Sequence, residues 1–186
     1  PVPGRDIMVQ SWYQGGISIF DWTDPDRPYE IAFHDRGPVD AREMGNGGSW
    51  SVYWYNGVIV SSEIARGLDI FELVPSAHIS QNEIDAARSV RMEYFNPQGQ
   101  PRFTWPPSFA LVRAYADQLE RSNGLPTARI AELRRELGEA ERAGTTQRRD
   151  LLERLAAQVE ADAPASRDGA KVATLARAMR DLARAR

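Results

Sequence analysis

The sequence predicts an α+β protein in which antiparallel β-meanders, about two propeller-like blades, are followed by a C-terminal four-helix bundle. Three observations carry this reading. Residues 7–22 (IMVQSWYQGGISIFDW) return in altered form at residues 58–73 (VIVSSEIARGLDIFEL), 51 positions later. Asn56-Gly57, the strongest short hairpin signal, sits between two β-rich runs. From Ser108 onward the apolar residues recur with the period of a helix instead of that of a strand. The expected segments are a β-meander part over 1–75, a short helix and Pro/Gly/aromatic connector over 76–107, and a helical part over 108–186.

The β elements follow in order. Ile7–Tyr13, Ile17–Trp22 and Tyr29–His34 are short β-branched and aromatic runs, separated by Gln14-Gly15-Gly16 and by Thr23 through Pro28. After a polar, Gly-rich stretch over 36–48, Trp50–Tyr55 enters the Asn56-Gly57 turn and leaves as Val58–Ile64, and Leu68–Leu73 follows Gly67. A type I′ turn at Asn56-Gly57 sets Tyr55 opposite Val58, Trp54 opposite Ile59 and Tyr53 opposite Val60. In the ungapped repeat, Val9/Val60, Ser11/Ser62, Gly16/Gly67, Ile19/Ile70 and Phe20/Phe71 are identical. Such self-similarity marks units that bury their apolar faces only by stacking on neighbours. Two units fall short of the four or more blades, of roughly 40 residues each, that close a propeller. Missing upstream blades or partner chains are therefore expected, and the start at Pro1 reads as a processed or truncated end.

Ser80 with Glu83 three residues on forms a capping box for a short helix over 80–90. The first long helix carries Phe109, Val112, Tyr115 and Leu119 and stops at Asn123-Gly124. Ile130, Leu133, Leu137 and Ala140 stripe the second, which ends near Gly144. Leu151, Leu152, Leu155 and Val159 stripe the third, and Val172, Leu175, Met179 and Leu182 the fourth, with Ser166 as its expected N-cap. Short connections make neighbouring helices antiparallel.

Composition excludes several classes. The net charge is −3, divided into −6 over residues 1–105 and +3 over 106–186, which gives no basic stripe for nucleic acid. No run approaches the ~18 apolar residues of a transmembrane helix. The absence of cysteine removes disulfides, thiolate catalysis and Cys-based zinc sites.

Gly16-Ile17-Ser18-Ile19-Phe20-Asp21 leading into Asp24-Pro25-Asp26-Arg27-Pro28 resembles the LVIVD-repeat family of exported bacterial β-propeller-like proteins. The second copy departs from that pattern: Glu72 replaces the Asp, and no Asp-Pro-x-x-Pro follows. The stretch from Ser80 to Ala87, the Phe95–Gln98 connector and the Ala-rich tail are similar to the C-terminal region of such proteins. The resemblance implies export, a periplasmic or cell-surface location and a binding or scaffolding role, with no catalytic residues to carry over.

Asp21, Asp24 and Asp26 form the best carboxylate cluster, and Ca²⁺ is the cation such a loop would take. The same residues are what a tight turn wants, and turn structure is the favoured reading. Otherwise no cofactor is expected. His34 and His78, the only histidines, read as structural or surface residues, and Glu63 and Glu72 as solvated or strand-end carboxylates. Among Trp50, Tyr53, Trp54 and Tyr55, alternation puts the two tryptophans on one face and the two tyrosines on the other. One face packs between blades and the other is left for protein or glycan contact. Phe103, Trp105 and Phe109 are expected to pin the helical part to the β part.

The function expected from this is that of a non-enzymatic, exported binding or scaffolding protein. The alternatives are an enzyme with a propeller-channel active site built mainly from upstream blades, and a structural subunit of a cell-surface assembly.

Overall fold

A computed structural model describes residues 1–185. The fold is α+β, with two three-stranded antiparallel sheets and five α-helices among the described residues. The chain divides into two compact units, Pro1–Thr104 and Trp105–Arg186. The segment 76–107 is thus split between them at Thr104.

In the first unit, β1 (Ile7–Ser11), β2 (Ile17–Asp21) and β3 (Tyr29–His34) form one sheet in that order. The second sheet is β4 (Ser49–Tyr55), β5 (Val58–Glu63) and β6 (Gly67–Phe71). Asn56 and Gly57 both have positive φ, 47° and 96°, as a type I′ turn requires. Tyr55 pairs with Val58, Trp54 with Ile59 and Tyr53 with Val60, the register expected from that turn.

The two repeated hairpins pair in the same register. Met8 faces Phe20 as Ile59 faces Phe71, Val9 faces Ile19 as Val60 faces Ile70, and Ser11 faces Ile17 as Ser62 faces Leu68. Each pair is displaced by 51 residues along the chain. Because side chains alternate with period two, identical register puts equivalent residues on equivalent faces.

The sheets pack against each other through non-equivalent faces. Ile17, Ile19 and Ile31 of the first sheet meet Val52 and Ile59 of the second, with Val9, Trp54 and Phe71 at the margin. A bulge beside Ile19 leaves Ile31 without a strand partner and adds it to this core. The sheets are also tied by a single bridge, in which Tyr13 and Ser49 exchange two backbone hydrogen bonds of 3.1 and 2.8 Å. Gly48, at φ 83°, makes that bridge possible, since a Cβ there would lie 1.7 Å from the Tyr13 carbonyl oxygen.

The helix α1 (Gln81–Arg88) begins with the expected capping box. Ser80 Oγ accepts from Glu83 N, and Glu83 Oε2 accepts from Ser80 N at 2.7 Å. Its Ile84 and Ala87 bury against Val2 and Ile79, with Ile7 and Leu73 alongside.

The second unit holds α2 (Phe109–Arg121), α3 (Thr127–Arg142), α4 (Thr145–Asp162) and α5 (Gly169–Arg184). Consecutive helices are in contact, and α5 also meets α2. The expected stripes meet in one core: Val112, Leu119, Ile130, Leu133, Leu137, Leu152, Val159, Val172, Leu175 and Met179 are fully buried there. Leu151 and Leu182 sit at its edge. Each buried Leu-class side chain contributes about 1.5–3 kcal/mol before chain entropy is counted. Asn123, at φ 52°, terminates α2 in the left-handed conformation.

One helix start differs from expectation. Asp168, not Ser166, caps α5, accepting from Lys171 N at 3.1 Å. Pro164 lies in a 3-10 turn over Ala163–Ala165, which delays the helix. Ser166 instead donates to the Gly124 carbonyl at 2.6 Å and accepts from Asp168 N.

Candidate interaction surface

The outer face of the second sheet is where the four aromatic residues of β4 separate. Tyr53, Val60 and Ile70 lie side by side across β4, β5 and β6, and Ser51, Ser62 and Leu68 form the next row. Tyr53 is 45% exposed, and Leu68 and Ile70 are each 62% exposed. Their repeat equivalents Ile17 and Ile19 are each only 4% exposed. The same residue types in the same register are therefore covered in one sheet and bare in the other.

Trp54 points to the opposite side, joining the inter-sheet core and meeting Phe103 edge-on at 6.3 Å. Trp50 does not share that environment, contrary to the simple alternation. A register shift between Ser49 and Ser51 makes Trp50 the bulged residue, and it is 63% exposed against Tyr13, ring centroids 5.7 Å apart.

Next to Tyr53 lies a groove of about 540 Å³, with Tyr55 and Val60 on its floor and Tyr94, Phe95, Asn96 and Gln98 on its walls. Asn56 holds the wall segment in place. Its side chain accepts from Met92 N at 2.8 Å and donates to the Met92 carbonyl at 2.9 Å. Tyr55 Oη adds hydrogen bonds of 3.1 Å to the carbonyls of Met92 and Glu93. A second, smaller cavity of about 280 Å³ opens between the sheets, lined mainly by Ile17, Ile31, Ile59, Phe71 and Ile79. His34 lies on its lining with its ring 4.7 Å from that of Phe71. Glu72, also on the lining, pairs with Arg88 at 3.4 Å.

The three aspartates of the β2–β3 segment are used separately. Asp21 is buried and takes Arg5 Nη2 at 2.6 Å and Nε at 3.1 Å, Tyr29 Oη at 3.1 Å and Thr23 N at 2.9 Å. Burial by itself would raise its pKa. Hydrogen bonds from Thr23 and Arg5, with the Arg5 charge, outweigh burial and hold it at about 2. Asp24 accepts from Asp26 N and from Arg27 Nε, which is turn chemistry. Asp26 is exposed. No group of three or more His, Asp or Glu side chains placed to hold a metal ion occurs among the described residues.

Two buried carboxylate arrangements lacked any signal in the sequence. Arg5 bridges Asp21 to Glu83 of α1, donating to Glu83 Oε1 and to the His78 carbonyl at 2.9 and 2.8 Å. All three side chains are at most 6% exposed. Glu63, expected to be solvated or at a strand end, does end β5 but is buried. It accepts from the backbone N–H groups of Gly48, Ala65 and Arg66. Burial opposes its ionisation, and those three N–H groups and the Arg66 charge more than compensate, leaving its pKa lowered.

Phe103 packs on Trp54 and Phe95 in the first unit. Trp105 and Phe109 pack against the helical core of the second. No helix among the described residues is long and apolar enough to cross a membrane.

The geometry is that of an antiparallel β unit with one bare apolar sheet face, and of a separate helical unit. Compared with known protein families, curated proteins and solved structures, the chain matches none.

Proposed function

We infer that the chain is a non-enzymatic, exported binding or scaffolding protein of LVIVD-repeat type that acts through protein contacts at the outer face of its second sheet. In this reading the two sheets are propeller-like blades, the second unit is a helical bundle of the four-helix class, and the protein works in the periplasm or at the cell surface. The observation that carries it is the patch of Tyr53, Leu68 and Ile70, aliphatic and aromatic residues exposed on two neighbouring rows of one sheet face. Contiguous apolar surface of this kind marks interaction sites. The in-register hairpins and the Asp24 turn support the resemblance.

The test is photo-crosslinking in the native host from a reactive residue placed at Leu68, with an equivalent probe at exposed Met44 as control. A discrete protein adduct from position 68 that disappears on adding Ile70→Glu is expected, in a periplasmic or surface fraction. Crosslinking no stronger than from position 44, or a purely cytoplasmic protein, overturns the reading.

A second reading, glycan binding, is favoured by the groove, where Tyr53 and Tyr94 stand beside Asn96 and Gln98. Aromatic faces with amide donors and acceptors suit a sugar ring. Saturable binding on a glycan array that Tyr53→Ala removes would select it.

A further inference from the structure

We propose that the outer face of the second sheet receives a second copy of this chain, which lays the outer face of its own first sheet there, head to tail. This rests on the reading above that the sheets are stacking repeats, and it names the partner.

The argument starts from the interface already present inside the chain. There, one sheet presents Val9, Ile17 and Ile19, and the next presents Ile59 and Phe71. At the 51-residue offset, the outer face of the second sheet presents half-buried Val60, beside the groove, and exposed Leu68 and Ile70 in place of Val9, Ile17 and Ile19. The outer face of the first sheet presents Met8 and Phe20 in place of Ile59 and Phe71. The molecule thus repeats the hairpin part of each half of its own internal interface, one at each end of the two-sheet stack, while Ile31 and Val52 of the internal core have no repeat counterpart. Val9/Val60, Ile19/Ile70 and Phe20/Phe71 are identical, so the hairpin residues of the internal contact recur on the two outer faces.

The donor face is not fully covered. Phe33, next to Ser18 on that face, is 74% exposed, and Trp12 stands edge-on to Phe20 at 6.4 Å. A second copy therefore continues an established packing without a new kind of contact. Since the two faces differ, the interface is heterologous, and each added copy leaves one face of each kind free. The stack grows until it closes into a ring or stays open. The bare side chains offer on the order of 500 Å² per partner, toward the low end for specific interfaces, so association is weak and concentration-dependent.

Sedimentation velocity on the full chain from about 10 µM to about 1 mM reads this directly. The weight-average mass is expected to rise with concentration and to change little with salt, because the contact is apolar. Ile70→Glu blocks the receiving face and Phe33→Glu the donating face, so each variant alone remains a monomer. Mixed in equal amounts they form a 1:1 dimer and nothing larger, because each retains the face the other lacks. Both positions are exposed, and unchanged thermal unfolding checks that the variants fold; Leu68→Lys with Phe33→Lys is the reserve pair. A wild-type chain that stays monomeric throughout, or a mixture that stays monomeric, overturns the proposal. Self-association of either variant alone does the same, since it means a symmetric interface. A different protein crosslinked at Leu68 while the purified chain stays monomeric refutes this inference and leaves the binding reading intact.

Discussion

Replacing Arg5 by Met tests whether the buried ion network organises the first unit. The guanidinium is the shared donor to Asp21, Glu83 and the His78 carbonyl, and its removal leaves two carboxylates in a site where neither side chain is more than 6% exposed. Breaking a buried pair by deleting one partner costs about 3–5 kcal/mol, because the remaining charge is unsolvated and unpaired. For a unit of this size, ~3 kcal/mol lowers the unfolding midpoint by roughly 12 °C or more. Tryptophan fluorescence is the suitable probe, since Trp12, Trp22, Trp50 and Trp54 belong to the first unit and only Trp105 to the second.

The pH dependence separates loss of charge pairing from loss of packing. Without Arg5, burial of Asp21 is opposed only by its remaining hydrogen bonds, so its folded-state pKa rises from the depressed value it has in the wild type. The deficit relative to the wild type therefore shrinks as the pH falls through the range in which Asp21 takes up its proton. Adding Asp21→Asn and Glu83→Gln to Arg5→Met removes both stranded charges and recovers most of the loss. A deficit below about 1 kcal/mol that is flat in pH, with no recovery in the triple variant, refutes the reasoning.

Asp21 is depressed from 3.8 to about 2, so its contribution is present above pH ~4 and is lost as the pH falls through about 2. Asp21→Asn should flatten this part of an acid titration followed by tryptophan fluorescence. Asn56→Gly keeps a turn that tolerates positive φ but removes both hydrogen bonds to Met92. It should cost about 1–2 kcal/mol in urea unfolding and raise hydrogen exchange at Met92 N. Gly48→Ala places a methyl against the Tyr13 carbonyl and should break the inter-sheet bridge, seen as loss of amide protection at Tyr13 and Ser49. Leu137→Ala, in the core of the second unit, should cost about 2–5 kcal/mol by helical circular dichroism and leave the tryptophan transition of the first unit in place.

The hairpins and helices were legible because their causes are local. Asn56-Gly57 needs positive φ at two consecutive residues, and that need alone sets the pairing of Tyr55, Trp54 and Tyr53. The helical stripes need only period and caps, and Ser80 with Glu83 sits within one turn. Where a second requirement competes locally, the reading slipped. Pro164 moved the start of α5 past Ser166 to Asp168, and a bulge at Trp50 broke the alternation that paired it with Trp54. The Arg5 network was illegible for a different reason. Arg5 lies 78 residues from Glu83, and nothing in the spacing of a lone Arg and two acids says that they meet. Glu83 was recognised as a capping residue, which is only half of what its carboxylate does.

The candidate surface shows most clearly what a sequence leaves open. Ile19 and Ile70 are the same residue, in the same register, opposite Val9 and Val60, which are again the same residue. Period-two alternation assigns both isoleucines to the same kind of face, and by that rule both should be core. Yet one is 4% exposed and the other 62%. The difference lies in what is stacked on each sheet. Ile19 has the second sheet over it, and Ile70 is left mostly uncovered. A hydrophobic face on a repeated unit therefore states a requirement for a neighbour without saying which neighbour meets it. Inside this chain the requirement is met by the Ile59 and Phe71 side of the next sheet. The Met8 and Phe20 side of another copy offers the same chemistry, and for that reason the complementation of Ile70→Glu by Phe33→Glu is the decisive measurement.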